Sequence, residues 1–164
     1  MKLVEVDNIP NVWEEIPLDD LLKVYGVCLE MLSVCKESNG VGLSAFQVGI
    51  PWKLFVVNFA GLEEFYVDCE YKPIGNEKIN SIEGCLSILN ENGSFRRFKV
   101  ERDRRVNIIG KKLVSSDQAV GISVNDVDID LEGTISIIFQ HEIDHHNGIL
   151  ISDHGDEYNI HEAN

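Results

Sequence analysis

The chain has 164 residues, of which 44% are hydrophobic and 8% aromatic, a composition that can bury the core of one globular domain. Its 28 acidic residues outnumber its 14 basic ones and give a formal net charge of −14. Such a surface repels phosphate backbones and anionic lipids, so nucleic acids and membrane surfaces are excluded as expected partners. No apolar run approaches the roughly 20 residues of a membrane span, and the N-terminus lacks the apolar core of a secretory signal. We therefore expect a cytoplasmic protein with free cysteines.

The first periodic segment predicts a helix from about Leu18 to Ser38. Its apolar residues follow spacings of four and three, which place them on one helix face: Leu21, Tyr25, Cys28, Leu32 and Cys35. Asp19 and Asp20 stand where a helix N-terminus favours negative charge, and Gly40 stands where a C-terminal cap is expected. On this face the two cysteines are interpreted as small buried apolar residues.

The middle of the chain predicts strands. Residues 53–59 and 65–69 are rich in β-branched and aromatic side chains, and a turn follows around Pro73. Residues 96–109 contain alternating stretches, and residues 121–131 alternate so regularly that their acids are expected on a solvent-facing side. A second helix is expected over about 131–147, ended by Gly148. A helix, several strands and a late helix together predict an α+β domain.

The late helix carries an H-E-x-x-H pattern. His141 and His145 are four residues apart, so both imidazoles lie on one helix face and can reach one cation. Glu142 is rotated by about 100° from His141 and can act on a metal-bound water as a general base. The alternative interpretation is a pair of solvated histidines on an amphipathic helix. His146 is expected to face away from the site and to be exposed.

The third ligand decides which class of enzyme this pattern serves. One protease group continues with a third histidine, but Ile151 stands at that position. Another group uses a downstream glutamate, for which Glu157 and Glu162 in the acidic tail are the candidates. Cys85 is a better candidate because it follows Gly84 in an extended stretch, and two histidines with one thiolate leave a fourth tetrahedral position open. Cys85 as a plain buried apolar residue remains the alternative.

A third segment, Gly40 to Gln47, follows the first helix. Its two glycines, Gly40 and Gly42, predict a tight loop whose backbone can lie along a ligand. It is a poor phosphate-binding loop, because no Lys-Ser/Thr pair follows. Gln47 supplies a neutral amide donor suited to an oxyanion, or else it is a surface glutamine.

Together these three segments resemble the three signature motifs of peptide deformylases. The family's G-x-G-L-A-A-x-Q is matched by Gly40 to Gln47, with Ser44 in place of the first alanine. E-G-C-L-S is matched without change by Glu83 to Ser87. Q-H-E-x-D-H-L-x-G is matched by Gln140 to Gly148, with His146 in place of leucine.

The resemblance implies a single catalytic domain over residues 1–164, with antiparallel β-sheets around a buried helix that carries the H-E-x-x-H motif and with an N-terminal helix. It implies that the metal ligands are Cys85, His141 and His145, that Glu142 moves protons, and that Gln47 and the backbone N–H of Leu86 stabilise the oxyanion. It further implies that the methionine pocket and the bound peptide are contacted by Val41, Gly42, Gly84, Ile137, Ile138 and His141.

The family's substrates are N-formyl-methionyl nascent peptides, which lose formate. Its cofactor is one divalent metal ion, Fe²⁺ physiologically, with Zn²⁺, Ni²⁺ or Co²⁺ able to replace it. The short acidic tail resembles organellar or phage-encoded members, and we expect a monomer in a bacterial or host cytoplasm rather than in an organelle. We expect no stable docking to the ribosome, since the chain is acidic and no basic C-terminal helix follows the last motif.

The chain departs from the family pattern in several places. Leu89 replaces a usual proline, and residues 90–94 lack an arginine often found there. Arg97 is expected to be structural and to pair with an acid near the site, whereas His154 and His161 are expected to be solvated. Two other functions stay open: a zinc endopeptidase with a glutamate as third ligand, and a degenerate peptide-binding module.

Overall fold

The structure is a computed structural model that describes residues 1–4, 12–116 and 121–158. In chain order its elements are α1 (Leu21–Glu37), β1 (Gly42–Ser44), a 3-10 helix (Ala45–Val48), β2 (Leu54–Phe59), β3 (Leu62–Pro73), β4 (Lys78–Leu89), β5 (Phe95–Asp103), β6 (Arg105–Ser116), β7 (Gly121–Glu132), α2 (Thr134–His146), α3 (Ile151–His154) and β8 (Asp156–Glu157). Among the described residues, no helix combines the length and the apolar character needed to cross a membrane.

The strands form two antiparallel sheets. One has five strands in the order β1-β2-β3-β6-β7, and the other has three in the order β4-β5-β8. Strand β2 has helices on both sides, since Leu54 and Val56 pack with the α1 core while Phe55 and Val57 pack with the α2 core. All four of these side chains are buried, which explains why β2 is a continuous apolar run rather than an alternating one.

Helix α2 lies between the two sheets. Phe139 and Ile143 pack against the five-stranded sheet. On the side of the three-stranded sheet, the Gln140 amide donates to the backbone oxygen of Asp103 on β5 (2.9 Å) and accepts from its N–H (3.0 Å). The predicted α+β fold, with antiparallel sheets around a buried motif-bearing helix and with an N-terminal helix, is therefore confirmed.

Helix α1 begins at Leu21 rather than near Leu18, and it ends at Glu37, one residue before the predicted end. The Asp20 carboxylate accepts from the Lys23 N–H at 3.2 Å and caps the first turn. The C-terminal cap is Ser38 and the left-handed residue is Asn39 (φ 54°), so the predicted cap at Gly40 is wrong. Gly40 is required for packing instead, because a Cβ there would lie 2.9 Å from a methyl carbon of Leu86.

Several predicted boundaries are also corrected. Residues 96–109 form parts of two strands that are separated at Arg104, and residues 131–132 end β7, with α2 beginning only after Gly133 (φ 71°). The predicted loop after Gly40 contains β1, because residues 42–44 pair with 55–57 of β2. The tail carries α3 and β8, and β8 adds an edge to the three-stranded sheet by pairing with β5.

His146 is buried rather than exposed, contrary to the prediction. Its exposed fraction is 2%, and its ring lies between Trp13 (centroids 5.8 Å apart) and Phe55 (5.6 Å). The rotation of about 100° per residue does turn the His146 ring away from His145. The ring nevertheless points toward the five-stranded sheet, because this sheet covers that face of α2. Burial lowers the pKa of His146 to about 4, against a smaller opposing effect of the Leu54 backbone.

We predict that His146→Leu stabilises the metal-free protein by about 1–3 kcal/mol, because neither ring nitrogen has a hydrogen-bond partner of normal geometry among the described residues. The folded-state pKa of about 4 lies below the unfolded value of 6.5. Above pH 6.5 His146 is neutral in both states, so this difference does not change the free energy of unfolding there. As the pH falls from 6.5 to 4, the free energy of unfolding of the wild type should decrease by up to about 3 kcal/mol relative to that of the variant. Urea unfolding across this pH range measures both, and a wild-type-to-variant difference independent of pH contradicts the prediction.

Candidate metal centre

Two separate elements supply the three candidate ligands. His141 and His145 lie one turn apart on α2, and Cys85 lies on β4 where pairing with β5 is irregular between Gly84 and Leu89. Such an irregularity can re-aim a side chain out of the regular alternation of a strand. The ligand atoms of the three residues all lie within 4.8 Å of one another, and all three side chains are buried.

The donor set and its spacing fit a tetrahedral cation. Bonds of about 2.3 Å to sulfur and about 2.1 Å to nitrogen, at tetrahedral angles, place the two donor atoms about 3.6 Å apart. The distance from Cys85 Sγ to His145 Nε2 is 3.6 Å. His141 uses Nδ1 to bond Glu83 Oε2 at 2.9 Å, which leaves Nε2 for a cation. One thiolate and two imidazoles suit a borderline transition metal and leave one position open.

A buried network of charges supports this centre. The Arg102 guanidinium donates to both carboxylate oxygens of Glu83, at 2.8 and 2.9 Å, and also to Asp144 of α2. The Tyr71 hydroxyl donates to the other oxygen of Asp144 at 3.0 Å. Since Glu83 bonds His141, the orientation of that imidazole is linked through Arg102 to the next turn of its own helix.

The network shifts the protonation of its members. Burial alone would raise the pKa of Glu83, but hydrogen bonds from Arg102 and His141 hold it far below its usual range. Burial alone would lower the pKa of His141, because it disfavours the charged imidazolium. The hydrogen bonds with Cys85 and Glu83 outweigh this effect and raise the pKa to about 10. The raised pKa favours the protonated form of His141, so a cation competes with a proton for this imidazole.

Arg102 takes the role that the sequence analysis gave to Arg97. Arg97 is exposed and makes no ion pair or side-chain hydrogen bond among the described residues. The signal for Arg102 was present in the sequence, because Phe98 and Val100 mark the buried face of β5 and residue 102 continues their alternation. Apolar residues alone do not reveal this, because the buried face of β5 continues through an arginine.

The Glu142 carboxylate is held by β1. The Ser44 hydroxyl donates to Glu142 Oε2 at 2.8 Å and to the Glu142 backbone oxygen at 3.2 Å. Gly42 leaves the necessary room, since a Cβ there would lie 2.5 Å from Glu142 Oε1. Burial raises the pKa of Glu142, with opposing effects from His141 and Ser44. Ser44 is thus a site residue whose contact the motif comparison did not anticipate.

Gln47 is buried beside the centre rather than on the surface. Its amide nitrogen donates to Cys85 Sγ at 3.3 Å and to the Ser87 hydroxyl at 3.2 Å, while its oxygen accepts from the Ser44 N–H at 2.9 Å. Both amide hydrogens are therefore directed toward the segment that carries Cys85. Leu86 follows Cys85 and lines the cavity described next.

A cavity of about 450 Å³ opens onto the centre, a size that suits a small ligand. One face of α2 lines it at helical spacing: Thr134, Ile137, Ile138, His141 and Glu142. The residues predicted to contact substrate from other elements also line it: Val41, Gly42 and Gly84. The structure thus brings together around one cavity all the residues that were predicted to contact substrate.

Glu157 does not reach the centre. It belongs to β8 and forms an exposed ion pair with Arg96, with Oε1 and Nε 2.8 Å apart. Glu162 and His161 lie outside the described residues. Within residues 1–4, 12–116 and 121–158, the single cluster with metal-ligand spacing contains Cys85 and no downstream glutamate. His154 is exposed, in agreement with the prediction of a solvated side chain, and its Nε2 lies 3.8 Å from Asp144.

Comparisons with known proteins agree with the motifs and the geometry. A sequence model of the polypeptide deformylase family matches residues 11–160. The chain is 32% identical over 141 residues to the peptide deformylase of Buchnera aphidicola subsp. Schizaphis graminum, covering 84% of this chain and 76% of that protein. It is 31% identical to the peptide deformylase of Rhodopirellula baltica over 80% of this chain, and the match spans only 60% of that longer protein.

The fold agrees as well. A crystal structure of peptide deformylase from Plasmodium falciparum superimposes with a TM-score of 0.72 at 30% identity, covering 93% of this chain and 85% of that one. The family match extends over far more than half of the chain and includes the segments that carry the Cys85, His141 and His145 cluster. The chain therefore belongs to the polypeptide deformylase family, a family of metal-dependent hydrolases.

Proposed function

We propose that this chain hydrolyses the formyl group from N-formyl-methionyl peptides and releases formate and a free amino terminus. The observation that carries the proposal is one cluster: a Cys/His/His donor set within 4.8 Å, adjoining a cavity lined by the Glu142 carboxylate. Iron(II) is the proposed physiological cation, and Zn²⁺, Ni²⁺ and Co²⁺ suit the same donors. A divalent cation held by Cys85, His141 and His145 would polarise the formyl oxygen and acidify a water molecule.

Glu142 is the proposed proton carrier. It accepts a proton from the attacking water, the water oxygen bonds to the formyl carbon, and the carboxyl group then gives the proton to the departing amine as the C–N bond breaks. Burial raises the pKa of Glu142, which favours a carboxylate that can also exist as an acid during turnover. The Ser44 bond at 2.8 Å keeps one carboxylate oxygen fixed during this exchange.

Gln47 and the backbone N–H of Leu86 are the proposed donors to the oxyanion. The Gln47 amide nitrogen lies 3.3 Å from Cys85 Sγ, so it adjoins the position where the formyl oxygen would bind the cation. An incoming oxyanion would replace one of the two present bonds of this amide, since both of its hydrogens already have acceptors. A charged acceptor forms the stronger bond, and this favours the exchange in the transition state.

The proposed methionine pocket is the apolar part of the cavity. Ile137 and Ile138 face it from α2, and Val41 and Gly42 border it at β1. Strand β1 is at the edge of its sheet, so its free backbone groups can pair with an extended peptide. Three expectations stay predictions: the protein is a monomer, it acts in a bacterial or host cytoplasm, and it does not dock stably on the ribosome.

The direct test is formate release from formyl-Met-Ala-Ser by protein loaded anaerobically with Fe²⁺, with metal content measured in the same sample. Acetyl-Met-Ala-Ser is the matched control substrate, since its extra methyl group should exclude it. We expect Glu142→Gln to keep the metal and to lose about 10²–10⁴-fold in kcat, the usual contribution of a general base. Near-normal turnover by this variant would contradict the proposed mechanism.

A second prediction separates the proposed ligand set from the endopeptidase alternative. Cys85→Ser should lose most bound metal together with activity, because a serine hydroxyl is a much weaker ligand than a thiolate. Cys69→Ser is the control, since Cys69 is also buried but lies near the backbone oxygens of Val67 and Lys111, which a hydroxyl can bond. Metal analysis after dialysis decides the matter, and full metal content in Cys85→Ser would exclude this cysteine as a ligand.

A third prediction concerns the room that Gly42 leaves for Glu142. Gly42→Ala should lower kcat/KM by about 100-fold, because the added Cβ would lie 2.5 Å from Glu142 Oε1 and must displace the carboxylate. Gly26→Ala in α1 is the control, since nothing lies within 4 Å of its added Cβ, and it should leave activity unchanged. Steady-state kinetics and melting temperatures are compared for both variants. An active Gly42→Ala enzyme would show that Glu142 does not need its present position.

A further inference from the structure

Arg97 is a cation at the wall of the cavity, and no residue that the structure describes pairs with its guanidinium. It is the only lysine or arginine that lines the cavity among the residues the structure describes. Its guanidinium has no ion pair or hydrogen bond within the described ranges, whereas the neighbouring Arg96 is paired with Glu157. The acids that also line the cavity do not compensate it, because Glu83 is bonded to Arg102 and Glu142 to Ser44.

The path of the Arg97 side chain is set by Gly84. The two residues are cross-strand partners on β5 and β4, and Arg97 Cδ and Nε each lie 3.6 Å from where a Gly84 Cβ would be. Without a side chain at residue 84, the arginine stem can lie across β4 toward its free edge. Gly84 directly precedes Cys85, so the guanidinium lies near the metal centre but on the rim of the cavity.

We propose that Arg97 binds a carboxylate carried at the second or third residue of a formyl-methionyl peptide, so that the site favours peptides that are acidic close to their N-terminus. The inference rests on the proposed function. An extended peptide advances about 3.3 Å per residue, so these positions lie about 7–10 Å from the formyl group, within reach of a side chain that starts one strand beyond β4. The carboxylate is either an Asp or Glu side chain or the C-terminus of a short peptide, and a guanidinium binds both in the same bidentate manner.

The charge of the rest of the protein makes this preference informative. A chain with a net charge of −14 repels an acidic peptide at long range. At physiological ionic strength that repulsion is screened over about 8 Å, whereas a contact with Arg97 is much closer. A preference for acidic peptides must then come from a local cation and not from the general field.

The test uses four amidated or free peptides with the Fe²⁺-loaded enzyme. Formyl-Met-Ala-Ser-amide is the neutral reference, the free acid of the same peptide carries a terminal carboxylate, and formyl-Met-Ala-Asp-amide and formyl-Met-Asp-Ser-amide carry a side-chain carboxylate. We expect kcat/KM to rise by about two- to fivefold over the reference for at least one acidic peptide, mainly through KM, as for an exposed ion pair. The peptide that gains most identifies the source of the carboxylate.

Arg97→Gln should bring this ratio to 1 or below, because only the repulsive field then remains. Arg96→Gln is the matched control: it removes the same charge one residue away, from a side chain that pairs with Glu157 instead of lining the cavity, and should keep the ratio. High ionic strength should reduce the wild-type ratio. The inference is overturned if both variants change the ratio alike, or if Arg97→Gln slows neutral and acidic peptides equally, which would indicate a contact with peptide backbone.

Calorimetric binding of the same peptides to metal-loaded Glu142→Gln separates this inference from the proposed function. If no formyl peptide is hydrolysed by the wild type, the proposed function fails, while a carboxylate-dependent affinity that is lost in Glu142→Gln/Arg97→Gln would still support the role of Arg97. If the neutral peptide is hydrolysed but neither turnover nor binding depends on a carboxylate, the proposed function stands and the inference is wrong.

Discussion

The metal ligands come from a helix and a strand, and the buried guanidinium of Arg102 holds these two elements in a fixed relation. It bonds Glu83, two residues before the ligand Cys85, and Asp144, one residue before the ligand His145. Glu83 in turn bonds His141. Removing one member of such a buried set leaves the others uncompensated, which typically costs about 3–5 kcal/mol. The cluster therefore positions the ligands of both elements before any cation is present.

The position of Glu142 depends on the other sheet. Strand β1 contributes Gly42, which offers space, and Ser44, which offers a hydroxyl, so the carboxylate is confined from two directions. The centre is thus assembled at the boundary between the two sheets, with α2 between them. This arrangement explains why a short helix with few exposed residues carries so many buried polar side chains. Those of Gln140, Glu142 and Asp144 bond residues of neighbouring strands, whereas the His146 ring is packed between aromatic side chains.

Much of the fold and most of the site could be predicted from the sequence, because periodicity and motif spacing are local signals. The ligand helix, the alternation of β7 and the three motif segments are of this kind. The failures concern long-range contacts. Nothing local in the sequence indicates that Gly40 packs against Leu86 instead of capping α1, or that Trp13 covers His146.

Arg102 illustrates the same limit from the other side. Its inward direction follows from the alternation of β5, yet a buried arginine is credible only when acids that can pair with it are close, and one of its acids lies 42 residues away along the chain. The expectation for Arg97 is wrong because it rests on the place of this residue in the family pattern. The alternation of β5 instead turns residue 102 toward the buried acids. When polar residues are included, the alternation along β5 places Arg97 and Arg102 on opposite faces of the strand.

The raised pKa of His141 has a thermodynamic consequence for how the protein is handled. Because the raised pKa favours a protonated imidazole, cations compete with protons for His141, and metal occupancy should fall as a solution is acidified. A cation bound only by the native arrangement also adds its binding free energy to the free energy of unfolding. The melting temperature of a preparation is then a gauge of its metal content, and two samples of identical sequence can differ in stability because of the buffer in which they were purified.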